Sequence, residues 1–151
     1  MQELPEKKLS IVGAGPEEEA LKNFVKAKNL TNISFLGPKY GDDLQSLIRD
    51  AEAIVMPSVW YENMPYTILE ALASGKVIVA SHLGGIPERI QDGINGFLFE
   101  AGDAKALAHI LRTLTQQDLV KIERAAFESV SDLRPEVYAK TLEKIYLEAI
   151  G

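Results

Sequence analysis

Glu62 and Glu70 stand eight positions apart in the stretch PSVWYENMPYTILEALASG (57–75), with Pro65 between them. Carboxylates accept hydrogen bonds from sugar hydroxyls, and such charge-assisted bonds are worth roughly 1.5–3 kcal/mol each. On one continuous helix, that spacing turns about 800°, leaving the side chains ~80° apart and ~12 Å apart along the axis. Pro65 alters this geometry. It lacks an N–H and its φ is preset for a helix, so it fits the first helical position. Glu62 then lies in the loop ahead of the helix, and Glu70 about a turn and a half inside it. Free N–H groups between them, those of Met64, Tyr66 and Thr67 among others, suit an anion such as a diphosphate. One extended ligand then meets hydroxyl acceptors at both ends and amides in the middle, with both carboxylates turned away from the phosphates. The spacing alone does not decide for this arrangement, because a glutamate on an arbitrary helix is mostly an exposed acid. Ile68, Leu69 and Leu72 supply the apolar stripe that would seat the helix.

A second candidate lies near the start, where Gly13-Ala14-Gly15 follows an apolar run. The dinucleotide fingerprint asks for a third glycine at position 18, which is Glu18 here. Glu17, Glu18 and Glu19 would also crowd negative charge against a pyrophosphate at that helix end. A tight turn accounts better for these glycines, and a nucleotide approaching Gly15 from the side stays open. No Asp-x-Asp motif occurs, and the two histidines, His82 and His109, are isolated in sequence, so neither a metal nor another cofactor is expected.

The composition narrows the partners. The net charge of −6 and the absence of a lysine- or arginine-rich block argue against nucleic acid or an anionic membrane. The apolar share of 46% and charged share of 25% belong to a globular chain. There is no cysteine, which removes disulfides and thiolate chemistry and fits a reducing compartment. No run approaches the ~18 apolar residues of a membrane span. The stretch MQELPEKKLSIVG carries charges where a signal peptide would be apolar, and the expected location is the cytoplasm.

The elements that must position these residues alternate along the chain. Apolar runs predict strands at LSIV (9–12), NISFL (32–36), AIVMP (53–57), KVIVAS (76–81) and GFLFE (96–100). Helical periods fall at Glu17–Lys28, in DLQSLIRDA with Asp42 or Asp43 as cap, and at Pro65–Ser74 with Gly75 beyond its end. A short helix is expected in PERIQ, followed by helices over Asp103–Leu114, Gln117–Val130 and Pro135–Ile150. SVSDLRPEV (129–137) is the expected hinge. Ile- and Val-rich strands, each followed by a helix, indicate one doubly wound α/β domain over 1–151, Rossmann-like, with about five parallel strands. Ligands of such sheets bind beyond the strands' carboxyl ends, here at loops 13–16, 37–42, 57–64 and 81–87.

The segment PSVWYENMPYTILEALASGKVIVAS resembles the signature of the retaining glycosyltransferases of family 4, which have the GT-B fold. The likeness extends through FLGPKYGDDLQSLIRDAEAIVMPS before it and SHLGGIPERIQDGINGFLFEAGDAKALAHIL after it. It implies the C-terminal, nucleotide-sugar-binding half of such an enzyme. By the resemblance, Glu62 is the catalytic candidate and contacts hydroxyls of the transferred sugar, while Glu70 binds the ribose. The amides of Asn63, Met64, Tyr66 and Thr67 meet sugar and phosphates. Asn63 replaces the commoner glycine, and asparagine tolerates unusual backbone angles. Gly37, Pro38, Lys39 and Tyr40 border the base, though an exposed loop accounts equally well for Lys39 and Tyr40. Trp60 and Tyr61 are expected to pack rather than to border the donor. His82 and the glycines of Gly84-Gly85 are expected to be structural.

The same resemblance implies two missing parts. One is an N-terminal acceptor-binding domain; the other is an initial strand with a basic loop that clamps the diphosphate. Weak or absent transfer by this chain alone is the expectation. Two alternatives stay open: a nucleotide-sugar epimerase on the same fold, and a non-catalytic nucleotide-binding or interaction module.

Overall fold

The computed structural model describes residues 1–150 and divides the chain into two compact units, Met1–Asp50 and the remainder from Ala51. The α/β class holds: parallel strands alternate with helices from the first strand to the fourth, a 3₁₀ turn joins the fourth to the fifth, and three helices follow. The five strands form two sheets, however, where one was expected. Apolar runs fix which segments become strands and which faces are buried, but not which strand edge pairs with which.

The first unit contains β1 (Leu9–Val12), α1 (Glu18–Ala27), β2 (Ile33–Gly37) and α2 (Gly41–Asp50). Strands β1 and β2 pair in parallel from Leu9↔Ile33, with a register shift between Ile11 and Val12. Asn32 ties the preceding segment down, its side-chain amide donating to the carbonyls of Leu4 (3.0 Å) and Lys7 (2.9 Å). On α1, Lys22 pairs with Glu18 at 2.7 Å and lies 5.9 Å from the centre of the Phe35 ring. The hydrogen bond that Lys22 donates to the Glu18 carboxylate raises its ammonium above its ordinary pKa. Helix α2 begins at Gly41, so Asp42 and Asp43 occupy its first turn instead of capping it. There their charge still suits the positive helix end.

The second unit contains β3 (Ile54–Met56), α3 (Tyr66–Ala73), β4 (Ile78–Ser81), β5 (Phe97–Phe99), α4 (Ala104–Thr113), α5 (Leu119–Glu128) and α6 (Pro135–Ile150). Its sheet is parallel in the order β3-β4-β5. Strand β4 is buried on both faces, as a central parallel strand should be. Ile78 and Ala80 face Ile68, Ala71 and Leu72 of α3, together with Ile86, Ile90 and Ala126. Val77 and Val79 face Phe99, Leu114 and Ile122, with Leu107, Ile110 and Leu111 of α4 alongside. Helix α5 thus contributes to both clusters, through Ala126 and Ile122.

Local signals set the helix ends. Asp103 accepts from the N–H groups of Lys105 (3.0 Å) and Ala106 (2.9 Å), capping α4. Asp118 does the same for α5 through Lys121. Helix α3 finishes in a Schellman arrangement: Gly75 N–H donates to Leu72 O and Lys76 N–H to Ala71 O, both at 2.9 Å. PERIQ yields only a 3₁₀ turn, Ile86–Glu88, and another, Ser131–Leu133, occupies the expected hinge.

Candidate active site

The loop after β3 and the start of α3 hold the paired acids. Pro65 has φ −63° and ψ 127°, so it is the residue that caps the helix, and α3 begins one residue later than expected, at Tyr66. Its extended ψ turns the chain into α3, and its carbonyl accepts the first helical bond, from Ile68 N–H at 3.0 Å. The N–H groups of Tyr66 and Thr67 precede that bond and have no intrahelical acceptor. Both residues are exposed, which leaves this helix end open to a ligand. Met64 is half-buried and packs against the α3 core cluster, so its side chain anchors the loop beneath the amides. Leu69 is only half-buried, while Ile68 and Leu72 form the buried stripe together with Ala71.

Glu62 is held by three contacts. Ser58 Oγ donates to its Oε1 at 3.1 Å, and Trp60 Nε1 donates to the same oxygen at 3.2 Å. The backbone N–H of Gly85 donates to Glu62 O at 3.0 Å. That bond brings two backbones into close approach. A Cβ on Gly84 would collide with the carbonyl of Glu62, and one on Gly85 with the carbonyl of Asn63. Gly84 also has φ +59°, a conformation side chains rarely adopt. The two glycines are therefore structural in a specific sense: they let the loop that follows β4 lie against the Glu62 segment.

Glu70 is exposed in the second turn of α3, and its backbone carbonyl accepts from Ser74 Oγ at 2.8 Å. Among the described residues no cation pairs with the carboxylate of Glu62 or Glu70. Both acids keep free acceptor capacity for hydroxyl groups. Asn63 is exposed, and its backbone is ordinary; the one non-glycine with positive φ among the described residues is Asn29. Trp60 and Tyr61 do not pack as expected, being 68% and 83% exposed. A short loop beyond a strand end offers them no second layer to cover their rings.

In the first unit, Pro38, Lys39 and Tyr40 come together with Val12, Gly13 and Ala14 around a concave site of about 330 Å³. Gly13 N–H donates to Gly37 O at 2.9 Å, joining the two loops at their bases. Gly37 ends β2 with φ +66°. Gly15 does not line the concavity. Its carbonyl accepts from Glu18 N–H at 3.1 Å, in keeping with a tight turn into α1.

Sequence reasoning passed over Ser58 as a partner of Glu62; it named loops 13–16 and 37–42 as ligand loops, but neither Val12 nor the meeting of the two loops around one concavity. The parallel runs LSIV and NISFL, each ending in glycine, carried a usable signal for the second. Nothing periodic marked the first. Among the described residues no group of three metal-ligating side chains converges, and no helix is long and apolar enough to cross a membrane.

Known proteins share this arrangement of segments. Sulfoquinovosyl transferase SQD2 of Arabidopsis thaliana is 37% identical over 117 residues, covering 76% of this chain and 22% of its own length. The amylovoran biosynthesis glycosyltransferase AmsK of Erwinia amylovora is 33% identical over 125 residues, covering 78% of this chain and 31% of its own. Among solved structures, Anabaena HepE in complex with UDP superposes with a TM-score of 0.78 at 26% identity, over 93% of this chain and 42% of that one. Its complex with UDP-glucose gives 0.76 at 26% identity, over 94% and 43%. This chain thus spans less than half the length of each of these relatives. The model of the family described as glycosyl transferases group 1 matches residues 1–117, and the chain belongs to that family, with the fold of its GT-B members.

Proposed function

We propose that this chain is the donor-binding part of a retaining glycosyltransferase of family 4, which transfers a hexosyl group from a nucleoside diphosphate sugar to an acceptor. The observation that carries this reading is the order of groups along one loop and helix. Glu62 comes first, held by one carboxylate oxygen; the open N–H groups of Tyr66 and Thr67 follow; Glu70 stands exposed a turn later. In this reading Glu62 accepts bonds from hydroxyls of the transferred sugar. The amides of Asn63, Met64, Tyr66 and Thr67 meet sugar and phosphate, and Glu70 accepts from the ribose. The charge that grows on the departing diphosphate is stabilised by the start of α3, where fixed N–H dipoles need no reorganisation. No metal or other cofactor is assigned to these steps. The UDP and UDP-glucose complexes of the Anabaena relative support the ligand class. The concavity of the first unit is assigned, on its own lining, to a nucleobase against Tyr40. An acceptor-binding part elsewhere in the full-length enzyme belongs to the same proposal.

Calorimetric titration with UDP, GDP and ADP and with their glucose derivatives tests it. Glu70→Gln weakens both the nucleoside diphosphate and its sugar derivative, by about tenfold or more for the loss of a charge-assisted bond. Glu62→Gln weakens mainly the sugar derivative by a similar factor. Tyr40→Ala weakens both ligand forms alike. Equal losses for both ligands in both glutamate variants would remove the assignment.

A further inference from the structure

We infer that Trp60 and Ser58 are positioning residues that fix the carboxylate of Glu62 through a single oxygen and so present the other oxygen to the sugar of the donor. The inference rests on the proposed function and adds to it what sets the direction of that carboxylate. Three observations converge. Both side chains donate to the same atom, Oε1, at 3.1 and 3.2 Å. Both donors are neutral, so the carboxylate is oriented while its negative charge stays available to a ligand. The backbone of Glu62 is fixed independently by Gly85 N–H and by the close approach at Gly84, so main chain and side chain are immobilised from different directions.

Exposure argues the same way. Trp60 is 68% exposed, so burial of its ring does not account for its place in the loop. Its indole N–H is nonetheless spent on an acid two residues away. An unrestrained glutamate samples several rotamers, and a ligand that needs one of them must select it. Two hydrogen bonds on one oxygen remove that cost ahead of binding.

The sequence contains one tryptophan, so the indole N–H of Trp60 gives a single, unambiguous proton–nitrogen resonance. In the ligand-free chain, Glu62→Gln should move that resonance and Glu70→Gln should leave it in place. Trp60→Phe keeps an aromatic ring and removes the donor. It should weaken UDP-glucose by roughly three- to tenfold, as expected for the net effect of one ordinary hydrogen bond acting through Glu62, with UDP unchanged. In the Glu62→Gln background the same substitution should have no further effect, because the two act as one unit.

A resonance that ignores Glu62→Gln overturns the inference whatever the ligands do. So does a Glu62→Gln variant that loses UDP-glucose selectively while Trp60→Phe does not, or a Trp60→Phe variant that loses both ligands equally. If Glu62→Gln itself fails to distinguish the two ligands, or the parent chain binds neither, the donor-binding reading is what fails. The resonance then still judges the contact.

Discussion

The two units place their loops on very different foundations. In the second, Val77, Ile78, Val79 and Ala80 are fully buried, and α3 packs Ile68, Ala71 and Leu72 against the face that carries Ile78 and Ala80. The loop bearing Glu62 sits on that core through Met64 and is locked to the Gly84-Gly85 turn. In the first unit the buried apolar residues are Leu4 and Ile48. Helix α1 has no buried residue, and its Leu21 and Phe24 are 45% and 51% exposed. Its loops 12–14 and 38–40 are joined by the Gly13–Gly37 bond. A loop pinned to a dense core can hold a carboxylate in one direction before a ligand arrives. A loop on a thin two-stranded layer has no such support, and contact geometry there depends on what the ligand itself contributes.

Three substitutions sharpen or break this contrast. Leu72→Ala removes a fully buried side chain between α3 and β4, and should cost about 2–5 kcal/mol in urea unfolding, with loss of donor binding as α3 loosens. Gly85→Ala should cost about 1–3 kcal/mol, because the loop after β4 must retreat from Asn63. Its affinity for UDP-glucose should fall further than its affinity for UDP, since Glu62 moves with that contact. Phe24→Ser on the exposed face of α1 should shift stability by no more than about 0.5 kcal/mol. Should Phe24→Ser prove as damaging as Leu72→Ala, the first unit has a core that its exposure does not reveal and the contrast collapses.

Much of this arrangement was legible in the residues. Each predicted strand exists, because short runs of Ile, Val, Leu and Phe bounded by turn residues have few other uses in a chain this size. The helix starting near Pro65 and ending at Gly75 was legible because both residues act through their own backbone chemistry. The misreadings have equally local causes. Pro65 satisfies the first helical position and the cap almost equally well, and only ψ distinguishes them. Asp42 and Asp43 suit both a cap and a first turn. Trp60 and Tyr61 looked like packing residues because large rings usually are, and the sequence held no sign that nothing would cover them.

By itself, the sequence determined the order of strands and helices and set an acid on each side of an open helix start at Pro65. These features depend on neighbours within a few residues, where periodicity, proline and glycine act directly. Only the tertiary structure decided that five strands form two sheets, and that Gly84 and Gly85 meet the backbone of Glu62 and Asn63. It also decided that Ser58 and Trp60 share one oxygen of Glu62, since that depends on how a loop without regular hydrogen bonding closes on itself. Edge pairing, backbone approach and loop closure all depend on where separate segments arrive in space, and no local pattern of residue types encodes that.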